Sequence, residues 1–110
     1  MFICNATFMM ETHREAEFIK WLSAHKEALA AASPGLSAPQ NFRLSSMRMA
    51  GGIDYRHAEA QSVALQQEFP TRKDAEAWLA DTFSTVAADF EAHFAPNAMV
   101  FASIFESIPF

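Results

Sequence analysis

Residues Phe2 to Met10 constrain this chain more than any other stretch. Phe2, Cys4, Ala6, Phe8 and Met10 alternate with Ile3, Asn5, Thr7 and Met9. Successive residues of a strand point to opposite faces, so the even set makes an unbroken apolar face that must be covered. The odd set is mixed, with Asn5 and Thr7 between Ile3 and Met9. A strand that is apolar on one side and half-apolar on the other belongs inside a sheet, not at an edge facing water. A cleaved signal peptide would need a basic start and a small-residue cleavage site. Neither precedes Glu11, and Asn5 interrupts the apolar run. The expectation is a structural strand.

The remaining elements follow from period and punctuation. Thr12 and Glu15 form a capping box at the head of a helix running to about Ala32. Phe18, Leu22, His25 and Leu29 make its apolar stripe, flanked by Ile19, Trp21 and Ala32. Ser33-Pro34-Gly35 stops it. A second strand is expected over Asn41–Met49, with Phe42 and Leu44 on one face and Arg43, Met47 and Met49 on the other. Gly51 to Glu59 reads as a loop or loose hairpin connection. A third strand covers about Ala60 to Phe69, with Val63, Leu65 and Phe69 on one face and Ser62, Ala64, Gln66 and Glu68 on the other. Thr71 and Asp74 cap a second helix whose stripe is Leu79, Phe83, Val86 and Phe90. It ends before Ala95-Pro96-Asn97. The last strand, Ala98 to Ile108, is apolar on both faces.

The order β-α-β-β-α-β is that of the ferredoxin-like split βαβ unit. Right-handed crossovers then give an α+β fold, a four-stranded antiparallel sheet in the order 4-1-3-2 with both helices on one face. The 110 residues fit one domain, 1–110. Ile3, Met9, Met47, Met49, Ala64 and one side of the last strand are left on the uncovered face. Leaving them wet costs roughly 25 cal/mol per Å². A homodimer, sheet against sheet, removes that cost and makes a dimeric α/β barrel. Asn5, Thr7, Arg43, Gln66 and Glu106 would line the space between the sheets.

Composition narrows the partners. Eight Lys and Arg against thirteen Asp and Glu give a net charge of −5, and the basic residues form no stripe, which argues against nucleic acid. One cysteine excludes an internal disulfide and suggests a reducing compartment. No apolar run approaches the roughly 20 residues of a membrane span. A cytoplasmic protein with no membrane partner is expected.

Several short stretches resemble a bacterial family of small domains of unknown function. They are Asn5-Ala6-Thr7, Trp21-Leu22, Phe42-Arg43-Leu44, the Gln66-Gln67 stretch ending in Phe69, Phe94, and Val100-Phe101-Ala102-Ser103-Ile104 with Glu106. Members of that family are similar to dimeric α/β-barrel proteins. The resemblance runs over nearly the whole chain and implies the same fold and dimer; the family has no assigned activity. Barrels of this kind include cofactor-free monooxygenases acting on aromatic or polyketide-like substrates, in which an Asn, Trp or His near the lumen orients the reactants. Asn5 and Trp21 or Trp78 are the matching residue types here, and both tryptophans fall toward helix faces.

No catalytic residue, metal site or cofactor motif is legible. His13, His25, His57 and His93 show no His-x-x-x-His spacing, and Gly51-Gly52 is no phosphate loop. Cys4, on the apolar face, should be an inert small hydrophobe. His25 lies in an apolar stripe, either as a core histidine bonded to a carbonyl or as an acid–base group. The ligand-binding candidates are Asn5, Thr7, Arg43, Gln66 and His25, since a few placed polar groups in an apolar lumen suit a small apolar ligand. The competing reading has Asn5, Thr7 and Gln66 bonding one another across a filled interface. Two functions follow: a non-enzymatic homodimer that binds a small apolar ligand, or a cofactor-free oxygenase. Haem binding through a histidine is a weaker third.

Overall fold

The structure is a computed structural model that describes residues 1–31, 40–43, 47–48, 54–55 and 60–109. Strand β1 spans Phe2–Glu11. A 3-10 turn, Thr12–Arg14, leads into helix α1, Glu15–Ala31. Strand β2 is Gln40–Arg43, β3 is Met47–Arg48, β4 is Asp54–Tyr55 and β5 is Ala60–Phe69. Helix α2, Arg72–Trp78, continues through a π-helical stretch, Leu79–Phe83, into α3, Ser84–Phe94. Strand β6, Met99–Glu106, follows. The fold is α+β, with β1 flanked antiparallel by β5 and β6. The short β2 pairs antiparallel with β5 through Gln40↔Gln66 to Arg43↔Val63.

The alternation in β1 sets the layers. Cys4, Ala6, Phe8 and Met10 are buried, while Ile3, Asn5, Thr7 and Met9 are half-buried. The buried set packs with Phe18, Leu22 and Leu29 of α1, Ala75 and Trp78 of α2, and Val86, Phe90 and Phe94 of α3. Val63, Leu65 and Phe69 of β5 join them, and Val100, Ala102 and Ile104 of β6 pack alongside. Both helical layers therefore lie on the even side of β1. Phe8 is the hub, with its ring 5.3 Å from Phe18, 5.1 Å from Phe90 and 6.4 Å from Phe83. Such tilted and edge-on pairs add about 0.5–1.5 kcal/mol each beyond their buried area.

The second helical segment is where period alone misreads the chain. Its most buried positions are Ala75 and Trp78, then Val86, Phe90 and Phe94; Leu79 and Phe83, expected on the stripe, are only half-buried. Trp78 and Val86 stand eight residues apart, one more than two α-helical turns. A π stretch adds one residue to a turn, and that extra residue carries the buried face across the break. Hydroxyls fill the widened turn: Ser84 donates to the Leu79 carbonyl at 2.8 Å and Thr85 to that of Asp81 at 3.0 Å. At its head, the Thr71 hydroxyl accepts from the Asp74 amide at 3.2 Å, the expected cap.

Three further readings need correction. The strand expected over Asn41–Met49 does not stay in one sheet: Gln40–Arg43 pairs with β5. Met47 and Arg48 pair instead with Tyr55 and Asp54 in a separate two-stranded sheet. A partner close in sequence costs less loop-closure entropy. Met47 thus leaves the main sheet, and Leu44, Met49 and His57 lie outside the described residues. Glu106 stands opposite Phe2 on the helix side, 3.7 Å from Arg72, so it does not line the open face. Gln67, assigned to neither face beforehand, is buried at 1% exposure beside Leu65 and Phe69. Ile19, expected to flank the helix stripe, is exposed.

If Phe8 is the hub, Phe8→Ala should cost about 3–5 kcal/mol. The check is the urea midpoint, which should fall steeply, whereas truncating exposed Ile19 to Ala should move it little.

Candidate functional site

The odd side of β1 carries a polar centre in an apolar surround. Asn5 stands opposite Gln66 on β5 and Ser103 on β6, and Thr7 opposite Ala64 and Phe101. The Thr7 hydroxyl donates to Asn5 Oδ1 at 3.2 Å, which occupies the oxygen of the amide and leaves its nitrogen as the donor end. Around them lie Ile3 and Met9 of β1 and, on β6, Met99, Phe101 and Phe105, which are 57%, 50% and 57% exposed. Met9 and Met99 are directly paired. Beside them, between the end of β1 and Pro96–Ala98, the surface forms a concavity of about 520 Å³. Register alone builds this face: cross-strand partners share a side, so one frame in β1 fixes the whole row.

Of the anticipated residues, Asn5, Thr7 and Gln66 come together here. They are neutral amides and a hydroxyl, able to orient a ligand but not to exchange protons with it near neutral pH. Arg43, expected to line the open face, does not: its backbone stands opposite Val63, a core position paired with Phe8, so the register sets it on the helix side of the sheet, and Gln40 is the residue opposite Gln66. His25 does not join them. It sits on α1 in the helix layer, across the sheet from Asn5, and it is neither core nor lumen. Its Nε2 lies 3.0 Å from Asp89 Oδ2, and its ring is 4.5 Å from that of Trp21. Trp21 Nε1–H donates to the same oxygen at 2.8 Å. One carboxylate oxygen thus meets both the indole and the imidazole rings. A groove of about 520 Å³ opens beside this trio between α1 and α3.

Asp89 escaped the sequence reading because nothing local marks it. It lies one residue from Phe90 on a solvated flank, and only helix packing brings it to His25. Arg14 is similar. Its guanidinium donates to the carbonyls of Phe94 at 3.1 Å and His93 at 3.2 Å and lies 4.6 Å from the Phe94 ring centroid. It thereby satisfies orphan carbonyls at the end of α3. Glu17 holds Arg14 at 2.9 Å and His93 at 3.2 Å. The hydrogen bond from Arg14 is the main cause of the lowered Glu17 pKa, helped by that from His93. Among the described residues no three His, Cys, Asp or Glu side chains converge as a metal site. Nor is any helix among them long and apolar enough to cross a membrane.

Cys4 behaves as its face required. It is buried, its thiol directed at the Ala75 carbonyl at 3.6 Å, and loss of solvation pushes its pKa up to about 11. The unfolded thiol titrates near 9.0, so its contribution to stability is intact below pH 9 and lost as the pH rises toward about 11. Urea titrations should show that fall, and Cys4→Ala should flatten it. At neutral pH a disulfide reagent should leave the folded thiol unmodified and react on unfolding.

No family model matches the chain, and no curated protein matches it either. Solved structures do. A dimeric ferredoxin-like protein from an uncultured marine organism is similar at 18% identity over 94% of this chain and 92% of that one, with a TM-score of 0.60. A crystal structure of an antibiotic biosynthesis monooxygenase is similar at 14% identity over 99% of this chain and 100% of its own, TM-score 0.59. SnoaB, a cofactor-independent oxygenase from Streptomyces nogalater, is similar at 14% identity over 99% and 95%, TM-score 0.54. At these identities the likeness speaks for architecture, and it agrees with the strand and helix order built above: the chain has a ferredoxin-like fold.

Proposed function

We propose that two copies of this chain pair sheet to sheet through the open face and hold a small apolar ligand between them, oriented by Asn5, Thr7 and Gln66. In this reading the sheet has four strands in the order 4-1-3-2 and the pair forms a dimeric α/β barrel. The observation that carries it is the composition of the face. Met99, Phe101 and Phe105 are at least half exposed beside Ile3 and Met9, around a neutral polar row. Scattered exposed apolar residues are ordinary, but a contiguous patch of this kind marks a contact surface. Burying each large side chain is worth about 1.5–3 kcal/mol, and two-fold pairing presents the same patch from both partners. The similar structure described as dimeric supports the pairing. A single free, buried cysteine fits a cytoplasmic location.

A second reading, a cofactor-free oxygenase acting on an aromatic or polyketide-like substrate, is favoured by one observation. Two of the similar structures are described as a monooxygenase and a cofactor-independent oxygenase. Asn5 would then orient the substrate, and the pairing of sheets would exclude water from it.

Sedimentation velocity at micromolar concentration should give a dimer, and Phe101→Asp should give a folded monomer. A native monomer would end the proposal. Asn5→Ala should leave the dimer intact and abolish binding of the apolar fluorophore anilinonaphthalene sulfonate; unchanged binding removes Asn5 from the site. Oxygen uptake with a polyphenolic aromatic and no added cofactor separates the two readings. The binding reading expects none above buffer, and uptake lost in Asn5→Ala establishes the oxygenase.

A further inference from the structure

We infer that Met9 and Met99 form a peroxide-responsive modification site that controls the pairing of two chains, a role that rests on sheet-to-sheet pairing as the function of the open face. The two residues are direct cross-strand partners on that face, so their Cβ atoms stand about 4.5–5.5 Å apart. Met99 is 57% exposed and Met9 is half-buried. Both line the concavity between the end of β1 and Pro96–Ala98. Met10 lines it too, from the other face of β1, so the opening lies over the strand ends. A chain that has not yet paired therefore presents Met99 to solvent.

The step is a two-electron oxidation at sulfur. A hydroperoxide, hydrogen peroxide in the simplest case, transfers one oxygen atom to the thioether. Its O–O bond breaks, an S–O bond forms, and the reduced oxidant leaves as water. The product is a sulfoxide, a polar acceptor in place of an apolar side chain. Its position makes that change matter. Met99 and Phe101 follow one another on the open side of β6, and Met9 neighbours Thr7 on β1. Pairing would press the sulfoxides against the same patch of a second copy, whose Met and Phe side chains offer no hydrogen-bond donor. Burying a polar group without a donor opposes association. Two-fold pairing counts every oxidised residue twice.

No thiol competes for the oxidant. Cys4 is the single cysteine of the chain and is fully buried, and loss of solvation pushes its pKa up to about 11. Almost no thiolate is present at neutral pH, so peroxide is left to the methionines. Met10 is closed off in the core at 1% exposure. Met1 is exposed but precedes β1, outside the cross-strand pairs of the open face.

The test treats the full chain with hydrogen peroxide at neutral pH, maps sulfoxides by peptide mass, and follows association by sedimentation velocity. Oxygen is expected on Met99 and Met9, with dimerisation weakened by about tenfold or more as apolar burial turns into burial of a polar group. Reduction by methionine sulfoxide reductases of both epimer classes, with dithiothreitol, should restore the dimer. Met99→Gln, polar and neutral, should weaken pairing with no peroxide added. Met9→Leu combined with Met99→Leu keeps the apolar volume, and its association should not change on the same treatment. A dimer that persists with both residues oxidised overturns the site and leaves sheet pairing intact. So does dissociation that the double leucine variant still shows, or that reduction fails to reverse. An untreated chain that is already a monomer overturns the pairing itself, and this control with it.

Discussion

Phe8 touches both helical layers at once, and the geometry of the molecule depends on that contact. Its ring meets Phe18 and Trp21 from α1 and Phe83 and Phe90 from the second helical segment. Rings meeting edge to face tolerate few arrangements, so the two segments are held at one separation over the sheet. Everything between the helices inherits that setting. Trp21 and His25 reach Asp89, and Arg14 reaches the last carbonyls of α3, because Phe8 keeps the layers at that height.

The same strand produces a molecule with two unlike sides. Its even residues pack under two helical segments, and no helix among the described residues covers the odd ones. The side left over is neither a core nor an ordinary surface. It has a polar middle, where the Thr7 hydroxyl holds the Asn5 amide, and an apolar surround of Met and Phe. The row at Asn5, Thr7 and Gln66 sets directional hydrogen-bonding groups in the middle of that apolar surround.

The π stretch plays the corresponding part on the helix side. One extra residue draws Trp78 and Val86 toward a single line facing the core, where an uninterrupted α-helix would set them about 80° apart. It also takes hydroxyl bonds from Ser84 and Thr85, and Asp81 of this stretch lines the groove between α1 and α3. Trp78 Nε1–H, buried with no hydrogen-bond partner among the described residues, lies immediately before this break. A buried unpaired donor costs about 1–3 kcal/mol, so the tight packing of that ring offsets a real penalty.

Period-two alternation in Phe2–Met10 was enough to assign β1, its two faces, its interior position and the inertness of Cys4, because strand geometry is local and rigid. The same logic read β5 and the Asn5–Thr7–Gln66 row, since pairing in a sheet follows from alternation and order. Tertiary structure decided the rest. His25 looked like a core residue by helical period, yet the carboxylate that defines it comes from a helix 64 positions later. Asp89 carries no local mark, because a solvated helix flank tolerates nearly any polar residue and only packing selects which one faces a neighbour. The break after Trp78 was equally silent, as its sequence is a good helix and the extra residue is imposed by what both ends must bury. Local chemistry fixed which way each strand faces, and contacts between segments distant in the chain fixed which polar groups meet.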